Sequence, residues 1–180
     1  EYTRAVAQAM ETDAFIGGLR ERLEADGHAE DTVLMLFTDH YCKYFSDAEF
    51  ISAIKGETDR NMLSNVPFVI WTEGIAPQVY DKYVSTMDIA PTIVDLFSLD
   101  ADLRYYIGND MFGPDGGVVY FRNYAWYDGK TYDTGNDASS NPAVLAMREQ
   151  VREQLDVSQD TFRYDYFACL QRRGILNPDE

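Results

Sequence analysis

The stretch TVLMLF, residues 32–37, runs without a polar break into Thr38-Asp39-His40-Tyr41. Six apolar or β-branched residues in a row, with no alternation, fit a strand covered on both faces, as in a parallel sheet under helices. The surroundings support that reading. Upstream, Ala5, Ala9, Thr12, Ile16, Leu19 and Leu23 recur at helical spacing, so residues 2–26 are expected to be a helix that stops at Asp26-Gly27. Gly17 and Gly18 weaken that helix by about 1 kcal/mol each relative to alanine, and close packing against a neighbour is the expected reason for them. Downstream, Ser46-Asp47-Ala48-Glu49 is a capping box ahead of Phe50, Ile51 and Ile54, and Gly56 ends that helix. VPFVIW, residues 66–71, is a second apolar strand with Pro67 near its start. A third helix is expected over about 89–97, with Asp88 as N-cap and Pro91 in the first turn. Strand alternating with helix is the pattern of an α/β fold.

The texture changes after residue 113. Val118 to Phe121 reads as a strand. The stretches 124–127 and 130–132 flank Asp128-Gly129, a hairpin turn signal, so an antiparallel meander is expected over about 118–133. Asn141-Pro142 opens a long helix as N-cap and N1, with Val144, Met147, Val151 and Leu155 on one face. Ser158 is expected to cap a further short helix carrying Phe162, Tyr166 and Leu170.

Composition narrows the function classes. The chain has 180 residues, 46% apolar and 14% aromatic, which suits a folded domain and not a disordered one. A net charge of −16 argues against nucleic acid and against docking on anionic lipid through a basic face. No apolar run approaches the length of a membrane span, and residue 1 already opens a polar helical pattern, so no secretory leader is expected. Cys42 and Cys169 lack CxxC spacing; two separate buried thiols are the expectation and one disulfide the alternative. With His28 and His40 as the only histidines, a site built on several histidines of this chain is excluded.

Asp39-His40 is the sharp chemical feature. Ligands of open α/β sheets bind beyond the carboxyl ends of strands. A carboxylate and an imidazole placed there suit zinc or manganese. Two ligands do not complete a site, so an ordinary capped strand end stands beside the metal reading. His28 is expected to be an exposed loop histidine. Asp88 could reach a metal ligand from behind, though its capping role already accounts for it. Gly108-Asn-Asp-Met-Phe-Gly113 has spaced glycines but no following Lys-Ser/Thr, so a turn is expected and not a phosphate loop. Tyr120, Tyr124, Trp126, Tyr127 and Tyr132 could form a platform for a sugar or glycerol chain, but packing against a helix is the commoner use.

These motifs together resemble the alkaline phosphatase–sulfatase superfamily, and within it the extracellular catalytic domain of lipoteichoic acid synthases. The residues that carry the resemblance are DTVLMLFTDHY (31–41), NVPFVIW (65–71), VSTMDIAPTIVDLF (84–97), IGNDMFG (107–113), VYFRN (119–123), the Tyr-Asp-Gly-Lys hairpin (127–130) and Asp-Thr-Phe-Arg (160–163). Two positions depart from the family pattern: Thr38 and Cys42 stand where glycines are usual.

The resemblance implies an alkaline-phosphatase-like three-layer sandwich. Residues 1–113 would be the C-terminal part of its sulfatase-like core, and residues 114–180 the antiparallel strands and closing helices of the same domain. It implies that Asp39 and His40 are metal ligands, for manganese, with magnesium or zinc as alternatives. The nucleophilic threonine, a further acidic ligand and the substrate-binding residues are expected upstream, so this chain alone is expected to be inactive. Its implied partners are the upstream half of the domain and a phosphatidylglycerol-type lipid. An unpaired sheet edge is expected to promote homodimerisation. The implied reaction moves glycerol phosphate from that lipid to a cell-envelope polymer, on the extracytoplasmic face of a bacterial membrane anchored by upstream transmembrane helices. A sulfatase-like or phosphodiesterase hydrolase with the same metal site, and a non-catalytic domain, remain as alternatives.

Overall fold

The computed structural model describes residues 2–39, 48–114 and 117–176. The first helix, α1, spans Tyr2–Ala25. Its half-buried positions, Ala5, Ile16, Leu19 and Leu23, all lie on the face that the spacing marks out. No residue of α1 is fully buried. The helix closes as glycine-terminated helices do: Gly27 takes a φ of 74°, and His28 N–H donates to the Leu23 carbonyl at 2.8 Å. A Cβ at Gly17 or Gly18 would meet no described atom within 4 Å, so the close packing expected of these glycines is not found.

Strand β1, Val33–Leu36, follows, then α2, Ala48–Lys55, and β2, Val69–Thr72. The caps expected at Ser46 and Asp47 lie outside the described residues. Gly56, with φ of 66°, ends α2 as expected. The Lys55 ammonium donates to the carbonyls of Leu63 and Asn65, both at 2.6 Å, and so fixes the loop leading toward β2. Tyr2 meets Phe50 edge-on at 5.5 Å, and the Arg20 guanidinium lies 5.0 Å from the Trp71 ring centroid. These two contacts hold α1 against α2 and β2.

The pairing of the two strands corrects the sequence reading. β1 and β2 are direct neighbours and run antiparallel, with Val33 opposite Thr72 and Leu36 opposite Val69. No parallel ladder occurs among the described residues. The physical reason is that an unbroken apolar run reports coverage of two faces, not the direction of its neighbour. β1 is half-buried throughout, and Val69 and Phe37 are exposed.

One compact unit ends at Val79 and a second begins at Tyr80. In the second, helix α3, Ile89–Leu96, follows a single 3-10 turn over Thr86–Asp88. The meander is a three-stranded antiparallel sheet of β3 (Val119–Tyr120), β4 (Trp126–Tyr127) and β5 (Tyr132–Asp133), in the order β3-β4-β5. Its turn is longer than the Asp128-Gly129 pair alone. Trp126 pairs with Asp133 and Tyr127 with Tyr132, which leaves residues 128–131 as the connection. The Asp128 carboxylate organises it, accepting the N–H of Lys130 at 2.8 Å and of Thr131 at 2.6 Å. Gly129 needs its glycine twice over: φ is 87°, and a Cβ would press on the Tyr83 ring at 3.0 Å.

Helix α4 runs Pro142–Arg163, with the Asn141 side chain accepting the Ala143 N–H at 3.0 Å. It passes straight through Ser158, which does not cap a new helix. The break falls at Tyr164–Asp165, where Asp165 adopts φ of 50°, and α5 is Tyr166–Arg172. Within a long helix that already has its hydrogen bonds, a serine need not start another. Phe162, expected on the apolar face of the short helix, is exposed; Val151 and Leu170 are buried.

Candidate functional site

Asp39 lies three residues beyond the end of β1 and is exposed. His40, Tyr41 and Cys42 lie outside the described residues, so the convergence expected of Asp39 and His40 falls there too. Thr38 has its hydroxyl oxygen shielded from solvent with no partner among the described residues. Asp39 and His40 are adjacent in the sequence, and a carboxylate and an imidazole are donor types that suit a divalent ion of the zinc or manganese kind. Among the described residues, no three His, Cys, Asp or Glu side chains converge as a metal site. His28 is exposed at the opposite end of β1, where its carbonyl accepts the Thr32 hydroxyl at 2.7 Å. That agrees with its reading as a loop residue. Cys169 is a half-buried free thiol.

The DIAPT segment, residues 88–92, forms a clasp. Asp88 is buried, but its carboxylate does not cap α3. It turns back to accept Ser85 N–H at 2.7 Å and reaches across to Asn109 N–H at 2.8 Å. The expected capping of α3 is therefore replaced by a capping box around the preceding 3-10 turn, with Ser85 as N-cap. Thr92, fully buried, repeats the motif one turn on. Its hydroxyl donates to the Asp88 carbonyl at 2.6 Å and accepts Met111 N–H at 2.8 Å. Together the two side chains pin residues 108–113 to α3. A Cβ on Gly108 would collide with the Met87 carbonyl, so only glycine permits that approach.

This clasp also settles the spaced glycines. Asn109, Met111, Phe112 and Gly113 donate their N–H groups to Asp88, to Thr92, to the Asp110 side chain and to the Asp110 carbonyl. A phosphate loop needs such donors free. The segment is a turn, as expected.

In the meander, Trp126 is buried and donates its indole N–H to Asp133 at 3.0 Å. Arg148 of α4 meets the same carboxylate with two nitrogens, each at 2.7 Å. The Arg148 guanidinium holds the Asp133 carboxyl below its ordinary value, against the opposing effect of burial. Tyr127 meets Tyr83 edge-on at 4.6 Å, and Tyr132 packs edge-on against Phe121 at 6.2 Å. Tyr124 donates its hydroxyl to Asp156 of α4 at 2.8 Å. These rings pack against each other and against α4, the commoner use of such a cluster. Tyr120 is half-buried, and that burial is the main cause of its raised phenol pKa.

Sequence reasoning passed over Asp133 and Arg148. The available signal was Arg148 itself, one residue after Met147 and three before Val151, on the face that α4 buries. A charge there calls for a partner.

Comparison with known proteins follows the same segments. The model of the family described as Sulfatase matches residues 1–99, more than half of the chain. Lipoteichoic acid synthase 2 of Bacillus subtilis (strain 168) is 24% identical over 175 residues, covering 88% of this chain and 27% of that protein. Lipoteichoic acid synthase of Staphylococcus aureus (strain USA300) is 27% identical over 175 residues, covering 87% of this chain and 26% of that protein. The chain thus spans about a quarter of the length of the curated relatives it matches. The Asp39-containing strand end, the VPFVIW strand and the DIAPT segment all fall inside the matched span, and on that footing the chain belongs to the sulfatase family.

Proposed function

We propose that this chain is part of the catalytic domain of a metal-dependent phosphoglycerol transferase that builds a cell-envelope polymer such as lipoteichoic acid. The observation that carries the reading is similarity to lipoteichoic acid synthases that continues past the family-matched span, over 175 residues. In this account a threonine from the preceding part of the domain attacks the phosphorus of a phosphatidylglycerol-type lipid. The bond to diacylglycerol breaks, diacylglycerol leaves with the proton, and a polymer hydroxyl then displaces the threonine. Asp39 and His40 would hold a divalent ion, manganese in the first instance with magnesium or zinc as alternatives. That ion would lower the pKa of the attacking hydroxyl and offset phosphate charge.

The chain's own part is to place ligands and to form one wall of the site. Asp39, three residues past the end of β1, and His40, next to it in the sequence, would be those ligands. The clasp of Asp88 and Thr92 holds α3 and residues 108–113 as one block. The half-buried apolar faces of β1 and β2 support a larger sheet, completed by the preceding half, as in an alkaline-phosphatase-like three-layer sandwich. Residues 1–113 and 114–180 would belong to that single domain. The site would face the extracytoplasmic side of a bacterial membrane, with the anchor upstream. Among the described residues, no helix is long and apolar enough to cross a membrane.

The test is transfer by the protein that includes the preceding half, with labelled phosphatidylglycerol and a divalent ion. Label should appear in polymer. Label released only as free glycerol phosphate would favour the hydrolase reading, to which the family description Sulfatase also lends support.

A further inference from the structure

The break between α4 and α5 turns a group of aromatic rings to solvent. Phe162, Tyr164, Tyr166 and Phe167 are all exposed, Phe162 at 85% and Tyr164 at 65%. Tyr105, from a 3-10 turn over Leu103–Tyr105, joins them. Its ring meets Phe167 edge-on at 5.8 Å, and Phe167 meets Tyr166 edge-on at 5.8 Å. Buried Leu170 anchors α5, so core packing is met by another residue than these rings. Grouped exposed aromatic side chains mark a surface that another body covers.

Arginines accompany the rings. The Arg163 guanidinium lies 5.4 Å from the Tyr164 ring centroid. Arg172 and Arg173 stand at the end of α5, which is fixed by Gly174 with φ of 66° and by Ile175 N–H donating to the Leu170 carbonyl at 3.0 Å. All three arginines are exposed, and none has an acidic partner among the described residues. Arg20, Arg104 and Arg148, by contrast, are each paired with an acid. Asp165 is the one acid within residues 162–176, so this stretch reverses the sign of a chain whose net charge is −16. Charges more than about 8 Å apart at a surface are largely screened at physiological salt, so a local cluster acts by its own sign.

Tyrosine rings beside arginines suit the boundary between lipid headgroups and acyl chains, where a ring buries its body and keeps its hydroxyl wet. We propose that this surface docks on an anionic lipid bilayer, with the Phe162, Tyr164 and Tyr166 rings at headgroup level and Arg163, Arg172 and Arg173 on lipid phosphates. The acidic remainder of the chain is repelled by the same bilayer, which turns the patch toward it. The proposal stands on these residues and does not rest on the transferase reading.

The experiment is flotation of the 180-residue chain with vesicles of phosphatidylserine and phosphatidylcholine, and with phosphatidylcholine alone. Phosphatidylserine is anionic but is not the lipid of the proposed reaction, so binding to it reports the surface and not the active site. The chain should float with the mixed vesicles, less with phosphatidylcholine, and less at high salt. Arg172→Gln combined with Arg173→Gln should weaken binding by about tenfold or more. Phe162→Ser should weaken it by about fivefold. Phe15→Ser, which alters an exposed ring of α1, should leave it unchanged. Absence of flotation overturns the proposal. So does equal binding by the arginine and Phe162 variants with unchanged circular dichroism spectra, or an equal loss in Phe15→Ser. A concentration-dependent dimer that Phe162→Ser abolishes, without vesicle binding, assigns the surface to a second copy instead. The protein that includes the preceding half, without any membrane-spanning part, should show the same losses. Binding confined to the 180-residue chain would show that the rest of the domain covers the patch, and overturns the proposal. No turnover is measured, so either outcome leaves the transferase reading to its own test.

Discussion

Arg148 of α4 and Asp133 of β5 form a two-pronged ion pair, both N–O distances being 2.7 Å. The Trp126 indole shares the same carboxylate, so one buried acid joins the meander to the long helix. Asp133→Ala leaves a cation and an indole N–H without their acceptor and should cost about 3 kcal/mol. Urea unfolding of the wild type and the variant measures it.

The same pair sets a pH dependence. The folded-state pKa of Asp133 is depressed, chiefly by the Arg148 hydrogen bonds. Its contribution is therefore complete above the ordinary carboxylate value and is lost as pH falls through the folded one. The stability difference between wild type and Asp133→Asn should be constant from pH 7 to about pH 5 and shrink below about pH 4. A difference that widens on acidification would show that the pair is not what protects this junction.

Much of the fold was legible because its signals are local. The face of α1, the Gly27 and Gly56 helix ends, the Asn141-Pro142 start and the Asp128-Gly129 turn each depend on a few adjacent residues. The direction of β1 against β2 was not legible, since apolar runs alone carry no orientation. Asp88 was misplaced as a cap of α3 for a related reason. Its second partner, Asn109, is far along the chain, and no local pattern announces that contact. Of the candidate site, Asp39-His40 was legible as a pair of ligand types at a strand end.

Glycine positions offer a paired test. Gly108→Ala drives a methyl into the Met87 carbonyl and should cost about 2 kcal/mol or more. Gly17→Ala sits in the interior of α1 with open space around it and should stabilise by up to about 1 kcal/mol. Thermal unfolding of both variants should move in opposite directions.

Thr92 separates shape from hydrogen bonding. Thr92→Val keeps the volume but removes the acceptor of the Met111 N–H, and should cost about 1–3 kcal/mol. Thr92→Ser keeps the hydroxyl and should cost less. Hydrogen exchange at the Met111 amide should speed up in Thr92→Val and stay slow in Thr92→Ser.

The central claim is that Asp39 and His40 hold the ion on which transfer depends. It is tested by measuring bound metal and polymer-directed transfer together, in the protein that includes the preceding half, for wild type, Asp39→Ala and His40→Ala. Metal content and transfer should fall together in both variants while the circular dichroism spectrum stays unchanged. Full metal occupancy in both would contradict the account.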